Sequence, residues 1–174
     1  MDACGDVKQL MIPLAEYPHI REDAALRDAF AVIEEGLEKK GMRFRHVLVL
    51  DETNRLLGLL GLRDILRGVF PEFLRATLPG QSRAEMVLPQ YSALATLWQD
   101  TFHEHCREQM QKPVGPHVVP VAATVSPEDP VTKAAYLMVF TDASMLPVVD
   151  DGKVVGVIRL IDVFNAATRV VLHG

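Results

Sequence analysis

Residues 56–66 read LLGLLGLRDIL, and residues 154–164 read VVGVIRLIDVF. The two stretches share one order of residue types: two apolar residues, Gly, two more apolar residues, a variable position, Leu, a second variable position, Asp and two apolar residues. The same offset of 98 residues separates Gly58 from Gly156, so that the stretches align without a gap. Repetition of this kind indicates that the chain contains two copies of one structural unit.

A β-hairpin is predicted at the same place in each copy. Residues 47–51 (VLVLD) and 146–150 (LPVVD) are short apolar runs that end in Asp, a pattern typical of buried strands. In copy two, Asp151 and Gly152 predict a tight turn after this strand, because Asp-Gly supplies the positive φ angles that such turns need. The turn of copy one is one residue longer, and its Asn54 tolerates the left-handed conformation.

Each copy also predicts a helix before its hairpin. Apolar residues recur there at steps of three and four, which indicates one buried helix face. These residues are Leu26, Ala29, Phe30, Ile33 and Leu37 in copy one, and Val131, Ala134, Ala135, Met138 and Val139 in copy two. A short extended piece that contains a proline precedes each helix, at residues 11–13 and 118–120.

The repeat predicts an α/β fold of the α+β type, built from two βαββα units. Each unit packs its helices on a small sheet, and the two sheets pair about a pseudo-two-fold axis that buries their apolar faces. The units span residues 7–69 and 114–172, and residues 70–113 form a helical insert or linker. Helical spacing in the insert predicts a helix over 92–111 that packs on the module, with Trp98 as a core or dimer anchor.

Composition restricts the classes of function. The chain has 174 residues, of which 49% are hydrophobic and 24% are charged, values typical of a globular protein. Its net charge is −5 and no basic stretch is available to neutralise a phosphate backbone, which argues against nucleic-acid binding. No apolar run approaches the roughly 20 residues of a membrane span. Because residues 1–6 also lack the apolar region of a secretory signal, we expect a cytoplasmic protein.

The sequence contains no motif that indicates catalysis or a metal site. Residues 103–106 (HEHC) lack metal-binding spacing, because two histidines at i and i+2 lie about 200° apart around a helix, and they indicate a polar helix face. The two cysteines, Cys4 and Cys106, do not make a disulfide framework. No catalytic triad or glycine-rich phosphate loop is indicated. An enzymatic function would require the insert to supply the chemistry.

The repeated pattern resembles the signature of cystathionine-β-synthase (CBS) motifs, in which a hairpin strand leads into Gly, two apolar residues, Ser or Thr, two variable residues and Asp. Two such motifs on one chain resemble a Bateman module, over about residues 7–69 and 114–172. The resemblance implies a non-catalytic regulatory module that requires no cofactor. It implies an adenosine-containing ligand (AMP, ADP, ATP or S-adenosylmethionine) in clefts between the motifs. It also implies a homodimer, because family members commonly pair through their helices.

The resemblance further assigns roles to individual residues. Asp64 and Asp162 fall on the positions that accept hydrogen bonds from the ribose hydroxyls, and the two acceptor oxygens of a carboxylate suit that role. Gly61 and Arg159 fall on the phosphate position. The adenine pocket is expected near the first extended segment and the second strand of each copy, at Ile12, Pro13, His46, Val47, Val119, Pro120, Leu146 and Pro147.

Each of these roles has a purely structural alternative. Either Asp would stabilise the dipole of its own helix by about 0.3–1 kcal/mol without a ligand. Gly61 and Arg159 replace the family's Ser or Thr, which breaks a capping box, so that Gly61 either allows close phosphate approach or marks an inactive site. Arg159 is either a bidentate phosphate ligand or a solvated or salt-bridged residue. His46 either faces adenine or is a partly buried histidine with structural partners.

Two functions of different classes therefore stay open. The retained pair Asp64 and Asp162 favours a ligand-sensing module, in which an adenine nucleotide changes the angle between the motifs or between two chains. The absence of Ser or Thr from both copies favours a CBS pair with degenerate sites. Such a pair would act without a nucleotide as a protein–protein interaction or dimerisation module, through its insert and exposed helix faces, with an unidentified protein partner.

Overall fold

The computed structural model describes residues 5–38, 44–70, 96 and 102–173. The strands are β1 (Ile12–Pro13), β2 (His19–Arg21), β3 (His46–Leu50), β4 (Leu56–Gly61), β5 (Met145–Asp150) and β6 (Lys153–Arg159). The α-helices are α1 (Leu26–Glu38), α2 (Leu62–Val69), α3 (Phe102–Gln109), α4 (Val131–Thr141) and α5 (Leu160–His173).

Both copies fold alike, as the repeat predicts. In copy one β2 is parallel to β3, and β3 is antiparallel to β4. In copy two a bridge from Val125 to Val148 runs parallel to β5, and β5 is antiparallel to β6. One helix precedes each hairpin and another follows it, so that the order is strand, helix, strand, strand, helix in copy one, and the same in copy two with the single bridge at Val125 in the place of the first strand. The predicted α/β architecture of two βαββα units is confirmed.

The hairpin turns agree with the sequence prediction. Asp151 and Gly152 take φ angles of 45° and 76° in copy two, and Asn54 takes 63° in copy one. The backbone N–H groups of Thr53 and Arg55 both donate to Oδ1 of Asp51, at 2.7 and 2.9 Å, which closes the longer turn. Residues with a low cost for positive φ therefore stand where the chain reverses.

The buried helix faces agree at the inner positions that the structure describes, while Phe30 and Ala135 are partly buried, Val139 is an exception and the side chain of Leu37 lies outside the described part. The inner positions of the two helices are buried at matching places, Leu26, Ala29 and Ile33 in α1 and Val131, Ala134 and Met138 in α4. Val139 is predicted on this face, but 79% of its surface is exposed. It follows Met138 directly, and the rotation of about 100° per helical residue carries it out of the buried stripe.

The first segment of each copy pairs with the other copy, a feature that the sequence analysis did not predict. β1 of copy one is antiparallel to β6 of copy two, with Ile12 opposite Val157. Likewise Val119, at the start of copy two, forms an antiparallel bridge with Leu59 in β4 of copy one, with N–H···O distances of 2.8 and 2.9 Å. The strand that precedes the helix in copy one is therefore β2, and the proline-containing segment crosses to the other unit.

The exchange also provides hydrogen-bond partners for the first N–H groups of two helices. The N–H of Val131, which begins α4, donates to the carbonyl oxygen of Gly5 at 3.0 Å. The N–H of Leu26, which begins α1, donates to the carbonyl oxygen of Lys112 at 2.9 Å. The first N–H groups of a helix have no partner within the helix. Here the partners come from the residues that lead into the first segment of the other copy, so that the start of each helix depends on the neighbouring unit.

Three apolar cores hold the structure together. The core of copy one includes Val114 from copy two, and the core of copy two includes Val7 from copy one. The third core lies at the seam of the two copies and takes side chains from both: Ile12, Tyr17, Phe44, Leu48, Leu50, Met145, Val154 and Val157. Because burial of apolar surface is the main favourable term in folding, this shared core makes the two units one structure.

Gly58 and Gly156 lie where the exchanged segments cross the hairpin strands. A Cβ atom on Gly156 would stand 2.5 Å from the carbonyl oxygen of Ile12, and one on Gly58 would stand 2.5 Å from that of Val119. These distances are far shorter than a van der Waals contact, so both positions need glycine to admit the neighbouring backbone. The glycine therefore recurs for the same structural reason in both copies, namely the close approach of the crossing backbone.

Of the insert, only residues 70, 96 and 102–113 are described. Of the predicted helix over 92–111, the structure describes α3, which packs against α2, while Trp98 lies outside the described residues. Cys106 and Met110 contact the core of copy one. The boundaries of the insert at 70–113 therefore stay a prediction. No helix within the described ranges is long and apolar enough to cross a membrane.

Candidate functional site

Two equivalent sites form where a hairpin strand runs directly into a helix. β4 leads into α2 and β6 leads into α5, and the first turns of these helices carry Asp64 and Asp162. The N–H of Leu62 donates to Arg45 O at 3.1 Å, and the N–H of Leu160 donates to Ser144 O at 2.9 Å, which are matching bonds in the two copies. Each carboxylate thus lies at the positive end of a helix dipole.

The exchange of first segments divides the predicted adenine-pocket residues into two groups. At the Asp64 site His46 lies opposite Gly61 and Val47 opposite Leu60, while Val119, followed by Pro120, pairs with Leu59. At the Asp162 site Leu146 lies opposite Ile158 and Pro147 opposite Val157, while Ile12 and Pro13 pair with Val157 and Gly156. Each site therefore combines a strand and helix of one copy with the first segment of the other.

Burial limits what several of these residues can contact. The side chains of Val47 and Leu146 are almost wholly inside the cores, and Ile12 and Pro147 are also buried. By contrast, Val119 is 44% exposed, and Pro13 and Pro120 are exposed too. Within the predicted pockets, the crossing segments thus provide the accessible apolar surface, whereas Val47 and Leu146 have only backbone to offer a ligand.

Asp64 has a partner for each carboxylate oxygen. Its Oδ2 accepts a hydrogen bond from the N–H of Gly61 at 3.0 Å, and its Oδ1 lies 3.3 Å from Nη1 of Arg67. The sequence analysis treated the capping box as broken, because Gly61 has no hydroxyl. In the structure the other half of the box is formed, since the bond from the cap N–H to the acid needs no cap side chain. Asp64 therefore stabilises the start of α2 by itself.

Asp162 is held by a bidentate ion pair. Nε of Arg159 donates to Oδ2, and Nη2 donates to Oδ1, both at 2.7 Å. The two side chains are only 23% and 18% exposed, so the pair is shielded from water more than a surface ion pair is. The bonds to Asp162 raise the pKa of Arg159, against the effect of burial. Arg159 is thus salt-bridged in this structure.

His46 is half-buried beside the Asp64 site. A Cβ atom on Gly61 would stand 3.3 Å from Cδ2 of the His46 ring, so the ring lies directly over the cap of α2. Burial lowers the pKa of His46 below its ordinary value of 6.5, and the nearby Arg45 adds to this effect. The carboxylate of Asp64 opposes it. The net effect favours an uncharged imidazole.

We expect His46 to make the protein less stable in mild acid. Because folding lowers its pKa, the unfolded chain binds this proton first as the pH falls below about 6.5, and the free energy of unfolding then decreases. The stabilising effect of a neutral His46 is complete above that pH and is lost as the pH falls through the folded pKa. In urea unfolding at about pH 7 and pH 5, His46→Gln should therefore lose less stability than the unaltered chain.

The exposed His103 on α3 supplies the control for this measurement. His103→Gln should lose as much stability between the two pH values as the unaltered chain does. Equal losses in all three proteins would show that His46 does not contribute to the acid sensitivity.

The sequence analysis missed two residues near the Asp162 site. Tyr17 is 4% exposed and packs edge-to-face on Phe44, with ring centroids 4.9 Å apart. Burial raises the pKa of Tyr17, while the nearby Arg159 lowers it. No local signal could have revealed Tyr17, because it reaches this site through the exchange. Met145 pairs with Arg159 as His46 pairs with Gly61, and a closer alignment of the repeats would have found it.

The described part of the chain shows no cluster of metal-binding side chains. No group of three or more His, Cys, Asp or Glu side chains there is arranged to hold a metal ion. Residues 103–106 lie on α3, where His103 and Glu104 are exposed as expected for a polar helix face, whereas Cys106 is a free thiol that contacts the core of copy one. The two Asp sites are therefore the candidates on which a function can be argued.

Comparisons with known proteins agree with this fold. A family model described as the CBS domain matches residues 7–70 and 94–169. The chain is similar to the CBS domain of a CBS domain containing membrane protein from Sphaerobacter thermophilus, with 23% identity, a TM-score of 0.65, and coverage of 93% of this chain and 87% of that one. No curated protein sequence matches the chain.

Two further similar structures contain a nucleotide. One is CBSX2, a CBS-pair protein from Arabidopsis thaliana, in complex with AMP, with 22% identity, a TM-score of 0.62, and coverage of 95% of this chain and 98% of that one. The other is the cytosolic domain of the Mg²⁺ channel MgtE in complex with ATP, with 22% identity and a TM-score of 0.61. The match covers 92% of this chain and 48% of the MgtE chain. At these identities the similarity concerns the fold.

Proposed function

This chain belongs to the CBS domain family, and we propose that its CBS pair is a regulatory module that binds an adenosine-containing ligand between the motifs. The observation that carries the proposal is the matched placement of Asp64 and Asp162, each in the first turn of the helix that follows a hairpin. A carboxylate there offers two acceptor oxygens to the vicinal hydroxyls of a ribose. AMP, ADP, ATP and S-adenosylmethionine all carry this diol.

The surroundings of each carboxylate support the same ligand class. The crossing segments supply accessible apolar surface for a purine, at Pro13 in one site and at Val119 and Pro120 in the other. At the Asp64 site Gly61 has no side chain that could obstruct a ligand on its way to the carboxylate. The AMP complex of CBSX2 and the ATP complex of the MgtE domain add support from proteins of the same fold.

The exchange of first segments offers a route from binding to regulation. A ligand at either seam would contact the helix of one copy and the first segment of the other at the same time. It would favour the arrangement of the two copies in which both contacts are made, provided that its affinity differs between arrangements. The module would then report ligand concentration as a change in the relation between its motifs, without a catalytic step.

Calorimetric titration of the purified chain tests the proposal. We expect saturable heat with at least one of AMP, ATP and S-adenosylmethionine, and weaker binding of 2′-deoxy-AMP than of AMP, because the deoxynucleotide lacks one of the two vicinal hydroxyls. Binding should also raise the melting temperature, because a ligand at 100 times its Kd stabilises the folded state by about 2.7 kcal/mol. If no adenosine-containing ligand gives heat or a melting shift at millimolar concentration, the proposal is wrong.

A second candidate function, self-association, rests on an exposed apolar surface of α4 and α5. We call it the copy-two face: Tyr136, Val139, Phe140, Ile161, Phe164, Val171 and Leu172, which are each 53–79% exposed. The rings of Tyr136 and Phe140 stack with centroids 5.8 Å apart. None of the seven side chains is charged. Apolar surfaces of this extent commonly mark interaction sites.

Copy one provides an internal comparison for this face. Alignment of α1 with α4 from their first residues places Ala31, Glu34 and Glu35 at the positions of Tyr136, Val139 and Phe140. The inner positions of both helices are apolar, so the fold itself does not require an apolar outer face. A two-fold dimer needs a self-complementary surface, and an uncharged face meets this condition. We therefore propose that a second copy of the chain covers the copy-two face.

Sedimentation velocity tests the dimer. The double variant Val139→Glu/Phe140→Glu copies the outer residues of α1 into α4 and should be monomeric at concentrations where the unaltered chain is dimeric. Ala31→Glu, which adds a glutamate to the outer face of α1, should leave the dimer intact. A monomeric unaltered chain at about 100 μM, or a double variant that still dimerises, would contradict this assignment.

A further inference from the structure

The two ribose-binding candidates occupy equivalent positions but have unlike partners. Asp162 is engaged at both oxygens by Arg159, with two contacts of 2.7 Å. Asp64 accepts one backbone bond at 3.0 Å from Gly61, and its other oxygen has only a 3.3 Å contact with Arg67, a side chain that is 47% exposed. The two sites therefore differ in what a ligand must displace.

A ribose at Asp162 competes with Arg159. The vicinal hydroxyls and the guanidinium would share the two carboxylate oxygens, and although each oxygen has a second lone pair, a bidentate ribose contact takes acceptor capacity from the ion pair and weakens it. The side chain of Arg159 is only 23% exposed and lies near the buried Tyr17. A cation in such surroundings that loses its anionic partner is destabilised, unless a second anion takes its place.

A phosphate can take that place, whereas an uncharged nucleoside cannot. Guanidinium binds phosphate with the same bidentate geometry that it uses for a carboxylate. At Asp64 the situation differs, because the contact with Arg67 is long and exposed, and contacts of this kind contribute little to stability. Displacing it leaves no shielded cation without a partner, so a ligand there has no corresponding need for a phosphate.

We infer that the two sites select different ligands, an inference that rests on the proposed function. The Asp162 site takes a phosphorylated adenosine, with the ribose on Asp162 and the phosphate on Arg159. The Asp64 site binds an adenosine moiety with little regard to whether it carries a phosphate. The module would thus sense a phosphorylated adenosine at the Asp162 site and any adenosine-containing molecule at the Asp64 site.

Titration of two complementary variants with AMP and with adenosine tests this division. Asp64→Ala keeps the Asp162 site, and we expect it to bind AMP at least tenfold more tightly than adenosine. The double variant Asp162→Ala/Arg159→Gln keeps the Asp64 site, and its two affinities should agree within about threefold. The thermal unfolding of each variant without ligand verifies that it is folded.

Variants of the arginine itself test its role in the Asp64→Ala background. Arg159→Gln should lower the preference for AMP to below threefold, and Arg159→Lys, which keeps the charge but loses the bidentate geometry, should give an intermediate preference. Arg169→Gln is the matched control, because Arg169 is an exposed residue on α5, ten positions further along the chain. It should leave the preference unchanged.

The outcomes separate this inference from the proposed function. If the unaltered chain binds none of adenosine, AMP, ATP and S-adenosylmethionine, the proposed function and the inference fail together, whereas binding of ATP or S-adenosylmethionine without AMP or adenosine overturns the inference alone. If both ligands bind, but the Asp64→Ala variant shows no preference for AMP, the inference alone is overturned. A preference that persists in Arg159→Gln would likewise overturn it, because the phosphate would then have another partner.

Discussion

Replacing Gly156 with valine should destabilise the protein by roughly 2–4 kcal/mol and release β1 from β6. A Cβ atom at this position would stand 2.5 Å from the carbonyl oxygen of Ile12 and 3.2 Å from Sδ of Met11. The first of these neighbours is backbone, so no rotamer change can relieve the overlap. Overpacking of a closed site typically costs about 1–3 kcal/mol, and the displaced segment would also lose its ladder bonds.

Urea unfolding measures this loss, and amide hydrogen exchange localises it. The N–H of Val131 bonds to Gly5 in the same crossing segment, so its exchange should become faster when β1 is displaced. Gly115→Ala is the control, because no atom lies within 4 Å of a Cβ built there, and its stability should change by less than about 0.5 kcal/mol. Similar stabilities for Gly156→Val and Gly115→Ala would show that the crossing is not formed.

The largest expected effect on binding comes from the double variant Asp64→Asn/Asp162→Asn. Each substitution turns an ionised acceptor into a neutral amide with one acceptor oxygen, and hydrogen bonds to charged groups contribute about 1.5–3 kcal/mol. The affinity of each site for AMP should therefore fall by about 10–100-fold. Because both sites are altered, the double variant should give no saturable heat where the unaltered chain is fully titrated.

Asp151→Asn is the matched control for the loss of a carboxylate. Asp151 is an exposed turn residue with a φ angle of 45°, a conformation that asparagine tolerates well. This variant should bind AMP as the unaltered chain does. Unchanged AMP binding by the double variant would instead mean that the ribose does not lie on these carboxylates.

Much of the fold could be predicted because its determinants are local and occur twice. The turns at Asn54 and at Asp151 and Gly152 use residues that suit positive φ, and the buried stripes of α1 and α4 follow helical spacing. The exchange of first segments was missed because β1 contains two residues, too few for a periodic pattern. A clue was nevertheless present, because a glycine within an apolar strand often marks the close approach of another backbone.

The candidate site could be predicted only in part. The repeat identified Asp64 and Asp162, and it left open whether Arg159 was salt-bridged, as it is in the structure. It could not show that the side chain of Val47 lies in the core, because the side of a strand that is buried depends on the partner sheet. Nor could it place Tyr17 near Arg159, because that proximity requires a contact between the copies.

A crystal structure of the chain grown with millimolar AMP tests the central claim most directly. We predict that the ribose hydroxyls lie within hydrogen-bonding distance of the carboxylate of Asp64, Asp162 or both, with the adenine against the first segment of the other copy. The claim would be contradicted by a nucleotide bound away from both seams. It would equally be contradicted by crystals without nucleotide in which Asp162 keeps both of its contacts with Arg159.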